Sequence, residues 1–213
     1  PCYDPKLHTP DKLRGGWESN MSSPTTGDVS NSNRDNGDLP IYSHTYVVYG
    51  QNIRRSHSEA IENHGHQLEA ILSYVDRLDS GPDVFWPRFV GQDDEGHFTK
   101  GRCGCVHFPP NGESDYDWGN MTPVESDIED WNPEGTGAIA TVNADTWTKL
   151  PRAWPDGIDP GDKSSKWFIY WMQSMPGHDN GIRWQERMLT NWWAFTGDWD
   201  GSIARGLRLT EAQ

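Results

Sequence analysis

Short apolar runs separated by long polar stretches set the pattern of this chain. Residues 41–50 (IYSHTYVVYG) are β-branched and aromatic and end at a glycine, which is typical of a strand. The apolar run at 68–76 predicts a second strand, and residues 83–90 predict a third. Residues 101–108 (GRCGCVHF) predict a buried strand, and residues 137–142 predict a further short one. The pattern indicates a protein built largely from short strands.

Two further apolar segments introduce helices. Residues 166–175 are apolar all round, which fits either a central strand or a buried helix. Residues 182–195 place apolar side chains at steps of three and four, a spacing that favours an amphipathic helix. Residues 1–40 are polar and predict an irregular N-terminal arm. We therefore expect one mainly β domain over residues 41–213, an antiparallel β-sandwich with long loops and one or two peripheral helices.

Composition supports that expectation and narrows the range of partners. Only 33% of the residues are hydrophobic, yet the chain has 12 Trp, 22 Gly and 15 Pro, which suits structured loops held by buried aromatic anchors. The formal net charge of −14 argues against non-specific binding of nucleic acid, which needs Lys and Arg on the phosphates. The charge also argues against adhesion to an anionic membrane. No apolar run approaches the roughly 20 residues that span a bilayer.

Three cysteines and two glycosylation sequons bear on the compartment. A disulfide between Cys2 and either Cys103 or Cys105 would leave one odd thiol. Cys103 and Cys105 themselves lie too close in sequence for an easy bridge. The sequons at Asn20 and Asn120 are compatible with export. These features favour secretion.

The segment from His64 to Glu69 carries the densest chemistry in the chain. In an extended strand, His64 and His66 point to the same face. Glu69 joins them if the backbone turns near Gly65, where glycine makes such a departure easy. Two imidazoles and a carboxylate can ligate a divalent metal or act as a general acid and base. The alternative is a polar loop whose histidines are solvated.

A second candidate lies in the loop that begins at His107. Two prolines stiffen this loop and an Asn-Gly pair turns it, so His107, Asp115 and Asp117 are expected to lie close together. Asp115 and Asp117 offer oxygen ligands for a hard cation. The alternative is an Asp-rich turn that satisfies its own backbone.

The first segment resembles the signature of the secreted necrosis- and ethylene-inducing peptide-like proteins, G-H-R-H-D-W-E followed by an apolar strand. His64, His66 and Glu69 match its two histidines and its glutamate, and the run at 41–50 is similar to the strand that precedes it. Those proteins are β-sandwiches that hold a divalent cation and bind sphingolipid head groups of plant membranes. The resemblance implies metal ligation by His64 and Glu69. Gln67 stands where the family has a ligating aspartate and could coordinate through its amide oxygen.

These residues lead to two alternative functions. The first is a secreted protein that binds a divalent cation (Ca²⁺, Mg²⁺, Mn²⁺ or Zn²⁺) and, through it, a glycan or lipid head group. The metal ligands expected for it are His64, Gln67, Glu69, Asp115 and Asp117. The second is a metal-assisted hydrolase or lyase of a polysaccharide or other polymer, in which Glu69, His66 and His107 supply acid–base chemistry. A structural protein without a site is the third reading.

Overall fold

Helices predominate in the computed structural model of the chain, which describes residues 57–78, 84–149 and 161–212. The helices are α1 (His57–Leu78), a π-helix (Phe85–Val90), α2 (Ala144–Thr148), α3 (Lys163–Gln173), α4 (Ala194–Gly197) and α5 (Trp199–Ala204). Between the π-helix and α2 come β1 (Val124–Ser126) and β2 (Ala140–Val142), and between α3 and α4 come β3 (Arg183–Trp184) and β4 (Arg187–Met188). The strands form two separate antiparallel sheets, β1 with β2 and β3 with β4.

The expected mainly β fold, an antiparallel β-sandwich, is therefore wrong for the part of the chain that the structure describes. The run at 68–76 lies within α1, and the strand expected at 83–90 coincides with the π-helix. Residues 101–108 are irregular rather than a strand, although much of the segment is buried. Residues 182–195 contain β3 and β4 in place of the expected amphipathic helix.

Two other expectations are confirmed, and two concern residues that the structure does not describe. Of the two alternatives for residues 166–175, the buried helix is confirmed by α3, and the short strand at 137–142 is confirmed by β2. The strand expected at 41–50 and the N-terminal arm at 1–40 lie outside the described residues.

An apolar stripe along α1 explains why this segment is a helix. Ile61, Leu68, Leu72 and Val75 recur at steps of seven, four and three, which brings them to one side of a helix. Leu68, Leu72 and Val75 are fully buried. A short apolar run such as 68–76 also fits a strand when it is considered alone, because steps of four and three over so few residues do not separate the two periods. Ile61, one heptad earlier, extends the helical spacing.

Tryptophan side chains, rather than a sheet, hold the irregular chain that follows the π-helix. Trp171 Nε1 donates to Gly104 O at 2.9 Å. Trp167 Nε1 donates to Cys105 O and Val106 O at 3.1 and 3.0 Å. Buried carbonyls need donors, and here α3 supplies them through its indoles. The indoles of Trp118, Trp131, Trp147 and Trp192 donate to other backbone carbonyls in the same way.

Candidate metal centre

The site is built on one polar row of α1. Glu62, His66 and Glu69 are spaced by four and three residues, so the helix places them on one side. Both carboxylates are buried, and 17% of the His66 side chain is exposed. Buried charges require partners. The row must therefore meet a donor or a cation from another element.

His107 reaches this row from the irregular segment that the two indoles of α3 hold. Gly65 permits the close approach, because a Cβ atom at this position would lie 2.6 Å from Val106 Cγ2. Val106 N donates to Glu69 Oε1 at 2.8 Å and ties the segment to the helix. Gly65 thus gives the site room within a regular helix, whereas the sequence suggested that it turns the backbone.

Three ligand atoms converge between α1 and this segment. His66 Nε2 lies 3.1 Å from His107 Nε2 and 3.9 Å from Glu62 Oε1. His107 Nε2 lies 3.2 Å from the same Glu62 oxygen. Ligands about 2.1 Å from one ion stand roughly 3 to 4 Å apart, and these three separations fall in that range. Glu62, His66 and His107 could therefore hold a metal ion.

A carboxylate faces the other nitrogen of each imidazole. Glu69 Oε2 lies 2.8 Å from His66 Nδ1, and Asp115 Oδ1 lies 3.0 Å from His107 Nδ1. The second contact is close enough for an ion pair, although its angles do not make a hydrogen bond. Carboxylates placed in this way favour a proton on Nδ1, which leaves Nε2 as a lone-pair donor to a metal. In the neutral imidazoles both Nε2 atoms and the Glu62 oxygen then face one another as lone pairs, an arrangement that a cation stabilises.

The same charges raise the pKa of His66 above its ordinary value of 6.5. Burial lowers this pKa and is the largest single effect, but the adjacent Glu69 carboxylate, through its charge and hydrogen bond, opposes it. Together with the charges of Glu62 and Asp115, Glu69 outweighs the burial. The site therefore favours a positive charge, either a proton on His66 or a metal ion.

His64 and Gln67 lie elsewhere on α1. Residues two apart in a helix project roughly 200° apart, so His64 and His66 point to different sides. The expectation that the two histidines share a face is wrong, because it requires an extended chain. His64 Nδ1 lies 3.1 Å from Gln67 Oε1, and the His64 ring stacks 6.4 Å from the ring of Trp193. The resemblance to the necrosis-inducing family, and the ligands that it implies, remain predictions.

The two aspartates of the 107–118 loop have different surroundings. Asp115 faces His107, as described, and keeps 31% of its side chain exposed. Asp117 Oδ2 accepts hydrogen bonds from Glu113 N at 3.1 Å and Asn120 Nδ2 at 2.8 Å. Asp117 therefore stabilises its own turn, the alternative that the loop sequence left open, while Asp115 belongs to the histidine cluster.

Glu62 is the member of the cluster that the sequence pattern did not indicate. Read as a strand, the segment directs attention to residues two apart, and Glu62 precedes the two-histidine pair. Read as a helix, the spacing Glu62-x-x-x-His66-x-x-Glu69 places three polar groups in one row. That row, continued by buried Ser73 and Asp76 at steps of four and three, is the signal that could have found it.

A second group of possible ligands, Asp93, Glu95 and His97, is exposed. Asp93 Oδ1 accepts hydrogen bonds from the backbone N–H groups of Glu95 and His97 at 3.0 and 2.8 Å. Its other oxygen lies 3.2 Å from His97 Nδ1. These contacts describe an Asp-stabilised turn, and we assign it no ion.

The cysteines near the site do not serve as nucleophiles. Cys105 is disulfide-bonded, and Cys103 is a free and buried thiol. Burial, with a smaller contribution from the charge of Asp127, raises the pKa of the Cys103 thiol well above its ordinary value. A thiol rather than a thiolate is inert at neutral pH.

In the described part of the chain, no helix is both long enough and apolar enough to span a membrane. Comparison with protein-family models, with curated proteins and with solved structures finds no match to the chain. Its function must be inferred from the geometry of the site.

Proposed function

We propose that Glu62, His66 and His107 bind a divalent metal ion, with Zn²⁺ as the first expectation, and that this ion activates water for the hydrolysis of a polar polymer. The observation that carries the proposal is the convergence of three ligand atoms while Glu69 and Asp115 face the outer nitrogens of both histidines. Outer carboxylates of this kind orient metal-ligating histidines.

The ligand types favour Zn²⁺ over the other ions considered. Imidazole nitrogen suits Zn²⁺ and neighbouring transition metals, whereas Ca²⁺ and Mg²⁺ prefer oxygen ligands. The cluster supplies two imidazoles and one carboxylate. Mn²⁺ is the next expectation, because it accepts mixed nitrogen and oxygen ligands.

The number of protein ligands favours catalysis. Catalytic zinc sites have three protein ligands, for example two histidines and a glutamate, and keep the fourth position for water. Zinc lowers the pKa of that bound water to about 7. The partial exposure of His66 supports access from solvent. In this arrangement Glu69 is a positioning residue, since its two oxygens are engaged by His66 Nδ1 and Val106 N.

The engagement of Glu69 also favours a second candidate, cation-mediated binding of a glycan or lipid head group without turnover. A general base needs an oxygen within reach of the attacking water. Both Glu69 oxygens have other partners, so the general base or acid role first expected of it would require their release.

We propose in addition that the protein acts outside the cell. The disulfide at Cys105 supports this compartment. Disulfides persist in oxidising environments and are rare in the cytosol.

The first experiment measures the metal content of the purified chain and its melting temperature before and after chelation. We expect a stoichiometric ion, a lower melting temperature after chelation and recovery with Zn²⁺. At a free metal concentration one hundred times Kd, a site that binds only the native state raises the free energy of unfolding by about 2.7 kcal/mol. Each kcal/mol of stability shifts the melting temperature of a domain of this size by roughly 2–4 °C. Absence of an ion, with no shift on adding Zn²⁺ or Mn²⁺, would contradict the proposal.

The second experiment separates hydrolysis from binding. The metal-loaded protein, the chelated protein and the Glu62→Gln variant are incubated with xylan, β-glucan and starch, and the release of reducing ends is followed. Release that requires both the metal and Glu62 supports a hydrolase. Metal-dependent retention on one of these polymers without release supports the binding alternative.

A further inference from the structure

Tyr116 has an unusual backbone for a bulky residue. Its φ is 65°, in the left-handed region that L-residues other than Asn and Asp rarely occupy. The residue is 47% exposed, which makes it one of four exposed large apolar residues in the described part of the chain. Glycine would fit this backbone without strain. The chain instead places an aromatic ring here, at the surface.

The ring lies directly beside the candidate metal centre. The ring centroid is 4.3 Å from that of His107, and the backbone N–H of Tyr116 donates to His107 O at 3.2 Å. Trp118 supports the ring from another side, in an edge-on contact at 5.1 Å between centroids. Tyr116 therefore has one part packed on a proposed metal ligand and another part exposed to solvent.

Contacts of the surrounding loop impose this conformation. Trp118 Nε1 donates to Val106 O at 2.9 Å, which closes the loop onto the segment before it. Asp117 Oδ2 accepts from Glu113 N and Asn120 Nδ2 and fixes the turn after Tyr116. Strained residues that the surroundings hold in place are concentrated at binding and catalytic sites.

We propose that Tyr116 is the substrate-contacting residue of the metal centre and that its exposed ring packs on a neutral sugar unit of a polysaccharide. This inference rests on the proposed function and names its substrate class. A sugar ring combines an apolar face, which a tyrosine ring can cover, with hydroxyl oxygens that can reach an ion held at His107.

The charge of the site selects a neutral polymer over an anionic one. Glu62, Glu69 and Asp115 surround the site, and their three carboxylates outnumber the two charges of a divalent ion. The chain as a whole carries a formal net charge of −14. A polyanion would be repelled by both, whereas a neutral glycan is not.

The test measures binding of named oligosaccharides to the full, metal-loaded chain by calorimetry. The neutral probes are the hexamers of cellulose, xylan, mannan and amylose, and the anionic probe is a galacturonate hexamer. We expect a neutral hexamer to bind. Tyr116→Ala should weaken that binding about tenfold or more, while Tyr116→Phe, which keeps the ring, should stay within about threefold. Ile139→Ala, at another exposed apolar residue, is the control and should bind as the wild type does.

Tyr116→Gly distinguishes a substrate contact from a structural role. Glycine relieves the backbone strain, so this variant should keep its metal and its melting temperature while it loses sugar binding. If Tyr116 only supports His107, both Tyr116→Ala and Tyr116→Gly should instead lower the metal content and the melting temperature.

Four results would overturn the inference. The first is no binding of any neutral hexamer by the metal-loaded protein, and the second is tighter binding of the galacturonate hexamer. The third is unchanged affinity of Tyr116→Ala at full metal content, and the fourth is a loss of sugar binding in Tyr116→Ala that is fully explained by a loss of metal. A wild-type chain that takes up no metal even after addition of Zn²⁺ or Mn²⁺ contradicts the proposed function itself, and the metal content of every sample identifies that case.

Discussion

His66 Nε2 and His107 Nε2 lie 3.1 Å apart, although 41 residues separate them in the chain. One histidine lies on a regular helix and the other on an irregular segment that tryptophan indoles hold in place. The two rings meet edge to face, with 4.7 Å between their centroids. Because each ring has a carboxylate on its other nitrogen, their facing nitrogens are suited to a shared cation.

Replacing Glu62 by Gln should remove most of the metal affinity and leave the fold intact. The amide keeps the size of the side chain but loses the charge that offsets the ion. The loss should exceed the roughly 10–100-fold that changes in outer carboxylates cause. Metal content after dialysis and calorimetric titration with Zn²⁺ measure it. Glu125→Gln, at an exposed acid, is the matched control. Wild-type affinity in Glu62→Gln would exclude this residue as a ligand.

Replacing Glu69 by Gln should weaken metal binding about 10–100-fold. Glu69 orients His66 through a 2.8 Å contact and is only 1% exposed. His64→Ala provides the comparison, because His64 points to another side of α1 and should leave the affinity unchanged. The opposite ranking, with His64 the more important, would support the ligands implied by the necrosis-inducing signature and contradict the centre described above.

Gly65→Ala should destabilise the protein by about 1–3 kcal/mol, the usual cost of an added methyl group in a packed region. The new Cβ would lie 2.6 Å from Val106 Cγ2 and displace the segment that carries His107. Intrinsic helix propensity predicts the reverse, since alanine is better than glycine by about 1 kcal/mol. Gly197→Ala, where nothing lies within 4 Å, is the control and should be neutral or stabilising. Urea denaturation decides, and a stabilised Gly65→Ala would show that the close approach is unimportant.

Asp162→Ala should destabilise the protein by about 1 kcal/mol at neutral pH, because Asp162 caps α3. Its Oδ1 accepts from Ser165 N at 3.1 Å, and the hydroxyls of Ser164 and Ser165 donate to the carboxylate, each at 2.6 Å. Burial raises the pKa of Asp162 and is the largest single effect, but these hydrogen bonds together outweigh it. The pKa of Asp162 is therefore lower than its ordinary value.

The lowered pKa of Asp162 gives this contribution a defined pH dependence. The stabilisation is fully present above the ordinary Asp pKa of about 3.9 and is lost as pH falls toward the lower pKa of the folded state. The stability difference between wild type and Asp162→Ala should therefore shrink in acid, as measured by urea denaturation at pH 7 and at about pH 3. Asp162→Asn keeps a cap without a titrating group. A difference between wild type and Asp162→Asn that does not change with pH would contradict the assignment.

The local sequence predicts the chemistry of the site better than it predicts the fold. Imidazoles and carboxylates in the segment from His64 to Glu69, and His107 with Asp115 in the later loop, mark both halves of the site by residue type alone. The secondary structure around them is misread, because an apolar run of nine residues suits a strand or a helix. The many Trp and Gly residues suggested a sandwich, yet the indoles donate to irregular backbone and make sheet partners unnecessary there.

What the sequence by itself determined is the residue types of the site, the imidazoles and carboxylates from His64 to Glu69 and from His107 to Asp115, together with the acidic balance that disfavours polyanions. Only the structure decided that this segment is a helix, which aligns Glu62 with His66 and directs His64 to another side. Only the tertiary structure decided that His107 joins them. The reason is physical: spacing along the chain defines which side chains share a face, whereas the meeting of α1 with the distant segment depends on packing at Gly65 and on carbonyls satisfied by indoles from a third element.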